Sequence, residues 1–171
     1  GNAKVLGSLL MLPPVVSAVA APVAGWLSDR FPPERVAAGA LVVIGVSTAW
    51  FATLTVEATA TDVGLRLALF GLGMGAFQAS NTTSVMVEVD ADRLGTGAAL
   101  VSLANSIGMI SSVGIMTAVF ESFQRAAQST GGDAFVAAFS ATYLVAAGLV
   151  AVGIIVVVTG PTRSRRVVAR G

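Results

Sequence analysis

The 171-residue sequence predicts an all-α membrane protein with five transmembrane helices. Three observations predict it. The chain is 55% hydrophobic and only 11% charged, with a mean hydropathy of +0.85, whereas a soluble domain carries about 25% charged residues. Five runs, 5–27, 36–56, 63–87, 95–120 and 134–159, each reach the length of about twenty mostly apolar residues that a spanning helix needs. Apart from Arg66 near the start of the third, none of them holds Lys, Arg, Asp or Glu, and one charge at a helix centre costs about 2.5–3.5 kcal/mol on insertion. The runs are continuous and do not alternate, which excludes the strands of a membrane barrel. Residues 1–160 therefore read as one helix bundle and 161–171 as a basic tail.

The first run contains Pro13, Pro14 and Pro22. Each removes a backbone donor and crowds the preceding turn, but neighbouring helices in a membrane can satisfy the freed groups, so a bent helix is expected. Ala21 and Gly25 form a small-xxx-small pair suited to close packing. A charged break follows, Gly25–Val36, which reads GWLSDRFPPERV and holds Asp29, Arg30, Glu34 and Arg35. The second run starts at Pro33, a residue suited to a first helical turn. Glu34 then lies at the positive end of the helix dipole, and Trp50 and Phe51 fall at the far end, where an aromatic belt is expected. The loop at 57–62 has no Lys or Arg.

The third run is the least regular. Gly71, Gly73 and Gly75 precede Gln78, Ser80, Asn81, Thr82, Thr83 and Ser84. Gly71, Gly75, Gln78 and Thr82 share one helical face by spacing, with Asn81 beside Gln78. GLGMGAF lies within an apolar helix and not between a strand and a helix N-terminus, so it reads as a packing motif and not as a nucleotide fingerprint. In the fourth run Asn105, Gly108 and Ser112 fall on one side, and a polar, amphipathic stretch at 121–133 follows. The fifth run holds Tyr143 well inside the bilayer. Gln78, Asn81 and Asn105 are costly to expose to lipid and should point inward. There they either line a substrate cavity or bond neighbouring helices, and Tyr143 either stacks on a flat or cationic substrate or packs.

The same inventory excludes several functions. There is no Cys and no His, so thiolate metal sites and the usual neutral-pH base are missing. No serine has a plausible base beside it. The chain reads as no enzyme, with no metal, no cofactor and no nucleic-acid partner. Orientation follows from charge. With the 28–35 loop cytoplasmic, seven of the ten basic residues lie inside: Arg30, Arg35, Arg93 and the tail arginines 163, 165, 166 and 170. Lys4, Arg66 and Arg125 lie outside, as the positive-inside rule requires. The expected protein is multi-pass in the inner (plasma) membrane, with its start outside and its C-terminus cytoplasmic. Transporter bundles are built from repeated halves. Five spans ending inside therefore read as a six-helix half without its first helix.

GWLSDRFPPERV resembles the conserved loop of the major facilitator superfamily, roughly G-x-L-[AS]-D-R-x-G-R-[KR]. Gly25, Leu27, Ser28, Asp29 and Arg30 match it, while Pro32, Pro33 and Glu34 depart from it and Arg35 stands in for a basic position. The LPP of the first run, GLGMGAFQASNTTSVM and RLGTGAALVSLANSIGMISSVG extend the likeness over essentially the whole chain. They resemble the C-terminal half of the EmrB/QacA-like fourteen-span drug:proton antiporters. The resemblance implies part of a secondary active transporter that exports drugs or other small organic compounds against protons. It also implies that the N-terminal half is missing here and holds most of the coupling acids. It makes Gly25, Asp29, Arg30 and Arg35 a gate loop. In that loop Asp29 would pair with the start of the next helix and with an Arg of a neighbouring helix. The other reading of the loop is a plain cytoplasmic hairpin. Alternatives for the chain are a non-transporting membrane fragment or remnant, and a facilitator for a specific metabolite such as a sugar.

Overall fold

The computed structural model describes residues 2–55, 57–89, 93–128 and 134–159. The basic tail at 161–171 lies outside them. Five helices carry the described chain: α1 (Asn2–Arg30), α2 (Pro33–Phe51), α3 (Ala60–Glu88), α4 (Leu94–Gln128) and α5 (Ala134–Thr159). All five are long and apolar enough to cross a membrane, and among the described residues there is no strand.

The helix ends are set by local chemistry. α1 stays helical through Pro13, Pro14 and Pro22. The Phe31 N–H donates to the Leu27 carbonyl at 2.9 Å to close α1, and the Pro32 carbonyl accepts from Arg35 at 2.9 Å to open α2. Pro33 occupies the first turn of α2 with Glu34 beside it, as the sequence suggests. α2 stops at Phe51, five residues short of its apolar run. The cause is the Trp50 carbonyl, which accepts from the Thr53 N–H at 3.1 Å, the Thr53 hydroxyl at 2.8 Å and the guanidinium of Arg66. α3 opens on a capped turn, with Thr59 Oγ1 accepting from the Asp62 N–H at 3.2 Å. α4 runs on past Phe120 to Gln128. The stretch beyond the apolar run is rich in helix formers, and Glu121 and Arg125 pair at 2.8 Å one turn apart.

α3 is the hub. It packs along α1 on one side and α2 on another. Its glycines make this approach possible. A Cβ at Gly71 would stand 2.7 Å from Pro13 Cα, and one at Gly75 would stand 2.8 Å from Ser17 Cα and closer still to the Ser17 carbonyl oxygen. One at Gly73 would stand 2.7 Å from Ile44 Cγ1 on α2. The alternating glycines thus serve two neighbours: 71 and 75 admit α1, and 73 admits α2. The approach on α1 runs through Pro13 and Ser17, with Ala24 and Ser28 buried further along, and not through Gly25, where an added Cβ would meet nothing. α2 also packs on α5, and α5 on α4. α4 meets the rest lightly, so Leu100, Leu103, Ile107 and Ile110 are exposed.

Candidate functional site

The loop residues sit where α1 turns into α2. Asp29 and Arg30 are exposed on the last turn of α1, and Arg35 is exposed on the first turn of α2. Among the described residues, Asp29, Arg30, Glu34 and Arg35 make no ion pair. Arg30 folds back over the ring of Trp26, 4.1 Å from its centroid. No side chain caps the start of α2, so the contact expected of Asp29 with that helix is not made in this structure. The loop is tied down by its neighbour in sequence. Ser28 is buried, and its hydroxyl donates to Ser80 on α3 at 3.2 Å. Ser80, wholly buried, donates in turn to the Ala76 carbonyl at 2.9 Å.

The polar residues proposed for a cavity are spread over the bundle. Gln78 is exposed and Asn81 half-buried on α3, and Asn105 is exposed on α4. Counted from the helix ends on the Arg35 side, Gln78 and Asn105 lie at a similar depth of roughly 15 Å. Tyr143 lies apart from them, towards the opposite end. Its ring stacks on Phe51 at 5.2 Å and meets Phe139 at 4.6 Å. The row continues from Phe139 to Phe135 at 6.2 Å and from Phe135 to Phe120 at 5.7 Å. Phe135, Phe139 and Tyr143 recur every fourth residue on α5 and so share a face. They join the end of α2 to the end of α4, and both neighbours of Tyr143 are protein rings.

Arg66 is the centre that the sequence does not mark as one. It is buried. Its Nη2 pairs with Asp62 at 2.8 Å, its Nη1 donates to the Trp50 carbonyl and to Thr53 Oγ1 at 3.2 Å, and its guanidinium lies 5.0 Å from the Trp50 ring centroid. Ser47, wholly buried, donates to the Arg66 carbonyl at 3.0 Å. A buried charge persists in such a place only when paired and hydrogen-bonded, and here the partners come from two helices. The group therefore staples the end of α2 to the start of α3. The sequence signal for it is an Asp four residues before an Arg at the start of an apolar run. The partner residues Trp50 and Thr53 are distant in the chain and give no such signal.

Among the described residues no group of acidic side chains could hold a metal ion. The chain is similar to the riboflavin transporter RibZ of Clostridioides difficile (strain 630), with 26% identity over 160 residues. That similarity covers 89% of this chain but only 34% of the relative, so the chain spans about a third of the relative's length. No solved structure matches. Residues 1–170 match the profile of the Major Facilitator Superfamily, and with that match, the five spanning helices and the loop at 25–30, the chain belongs to the major facilitator superfamily.

Proposed function

We propose that the chain forms part of a secondary active transporter of the EmrB/QacA-like kind, exporting small organic compounds by proton antiport. What carries the reading is superfamily membership combined with central polar side chains, Gln78, Asn81 and Asn105, that are all uncharged. Such a lining suits apolar or weakly polar compounds better than sugars, which call for many directed hydrogen bonds. With the loop cytoplasmic and the start of the chain outside, Asp29, Arg30 and Arg35 stand at the cytoplasmic mouth of the inner membrane protein. There they form the part of the gate that makes and breaks contacts as the transporter alternates. The coupling carboxylates then belong to the other half of the transporter.

One finding favours a second reading. The similarity to a riboflavin transporter supports a facilitator for a single metabolite. The two readings separate in cells that lack their own efflux pumps and express the transporter containing this chain. The first expects lowered accumulation of several unrelated dyes and drugs, restored by a protonophore. The second expects movement of riboflavin or one other metabolite only. Movement of nothing at all leaves the chain a non-transporting membrane piece. In the same cells Asp29→Asn should lower transport roughly tenfold, the size of a typical coupling between conformational states, with membrane insertion unchanged. Wild-type transport by that variant would remove the gate role from the loop.

A further inference from the structure

Between α1 and α2, on the Arg35 side of the bundle, runs an open groove of about 690 Å³. Val15, Val19 and Val23 of α1 line one wall, Gly39 and Val43 of α2 the other, and Ala76 of α3 lies on its floor. Phe31 and Arg35 close one end, and Arg35 is the single polar side chain in the lining. The α1 wall is apolar and exposed at Val15, Val19 and Val23, so it faces an apolar occupant in the membrane.

We propose that the groove is a phospholipid site, with one acyl chain lying between α1 and α2 and the lipid phosphate on Arg35. Length is the first argument. From Val15 to Leu27 the groove follows α1 for twelve residues, or about 18 Å at 1.5 Å each. That is close to one leaflet of a hydrocarbon core about 30 Å thick. Charge is the second. The only charge in the lining is positive and sits at the end where a headgroup of that leaflet lies, and basic pockets between helices bind phosphate headgroups. Arg30, the residue just before Phe31 at the groove's mouth, is held over Trp26, a ring of the kind that anchors helices at the interface. Asp29 and Glu34 lie at the same end and are exposed, but neither lines the groove.

The structure also supplies the means to test this. A Cβ at Gly39 would meet nothing within 4 Å, so Gly39→Phe fills the groove without striking backbone. The experiment is native mass spectrometry of the transporter containing this chain in detergent, titrated with dioleoyl phosphatidylglycerol and, separately, with dioleoylglycerol, which has the same chains and no phosphate. Phosphatidylglycerol should bind to the wild type, and dioleoylglycerol should bind more weakly. Arg35→Gln should weaken phosphatidylglycerol about fivefold, or about 1 kcal/mol for one basic side chain at the membrane surface, and leave dioleoylglycerol unchanged. Gly39→Phe should weaken both lipids. Arg125→Gln, an exposed arginine at the far end of α4, should change neither. Equal binding of the two lipids by the wild type would overturn the headgroup assignment. Unchanged binding in Arg35→Gln and Gly39→Phe would overturn the site. A dimer that Gly39→Phe dissociates would give the groove to a second copy instead. Should Gly39→Phe not insert, Arg35→Gln alone still decides the question.

Discussion

At its Trp50 end α2 is tied to α3 through Arg66, Asp62, Thr53 and the Trp50 carbonyl, and to α5 through Phe51 on Tyr143. At its Pro33 end it meets α1 across an apolar groove, beside four charged side chains without ion pairs among the described residues. Each end has an Arg–Trp contact, and the two differ in kind. Arg66 and Trp50 lie on different helices, so their contact joins two elements. Arg30 and Trp26 lie one turn apart on α1, so theirs joins nothing. The charges of the loop are thus free to find other partners, and those of the staple are not. A movement of α2 against α3 breaks no ion pair at the Arg35 end and a buried charge network at the Arg66 end. Local stability follows contact density in this way.

The largest effect should come from what both ends depend on, the glycine row of α3. Gly75→Val places a branched side chain on the Ser17 carbonyl and Cα. The conflict is with backbone and cannot be relieved by a rotamer, so a loss of about 3 kcal/mol is expected. Gly39→Val, in open space, serves as the control and should lie within about 0.5 kcal/mol of the wild type. Unfolding in mixed micelles measures both. Equal stabilities would mean that α1 does not approach α3 here.

Next comes the staple itself. Arg66→Met keeps the length and removes the charge, the ion pair and the donors to Trp50 and Thr53. Asp62 is partly exposed and can be rehydrated, which limits the loss to about 1.5–3 kcal/mol, the range for hydrogen bonds to charged groups. Arg35→Met, at the other end, should cost less than about 0.5 kcal/mol. The difference between the two variants measures the asymmetry of α2 directly, and equal losses would abolish it.

Sequence and structure agree best where physics is one-dimensional. Run length and the exclusion of charge give five helices, because hydrocarbon forbids unsatisfied backbone and unpaired charge wherever they fall. The ends follow contacts that run lengths do not hold: Arg66 takes the Trp50 carbonyl and shortens α2, and the Glu121–Arg125 pair lets α4 run on. The loop at 25–35 is legible from its motif, but its pairing is a property of neighbouring helices. The polar cluster of α3 is the hardest case. In this chain Gln78 is exposed and Ser80 is wholly buried. Spacing gives the faces of a helix, but α3 has neighbours on two sides, and spacing alone does not say which faces they occupy.

The smallest prediction concerns the one interhelical side-chain hydrogen bond at the open end among the described residues, Ser28–Ser80. A side-chain bond between membrane helices contributes about 0.6 kcal/mol on average, because each hydroxyl can also bond its own helix, as Ser80 does to the Ala76 carbonyl. A double-mutant cycle over Ser28→Ala and Ser80→Ala should therefore give a coupling of about 0.6 kcal/mol. The same cycle in the Arg66→Met background tests whether the two ends are independent. If α3 is a rigid hub, the coupling is unchanged, since the sites lie more than a few turns apart on it. If loosening the staple lets α3 shift along α1, the coupling falls towards zero. That outcome would mean that the tied end holds the open end in register and does not merely differ from it.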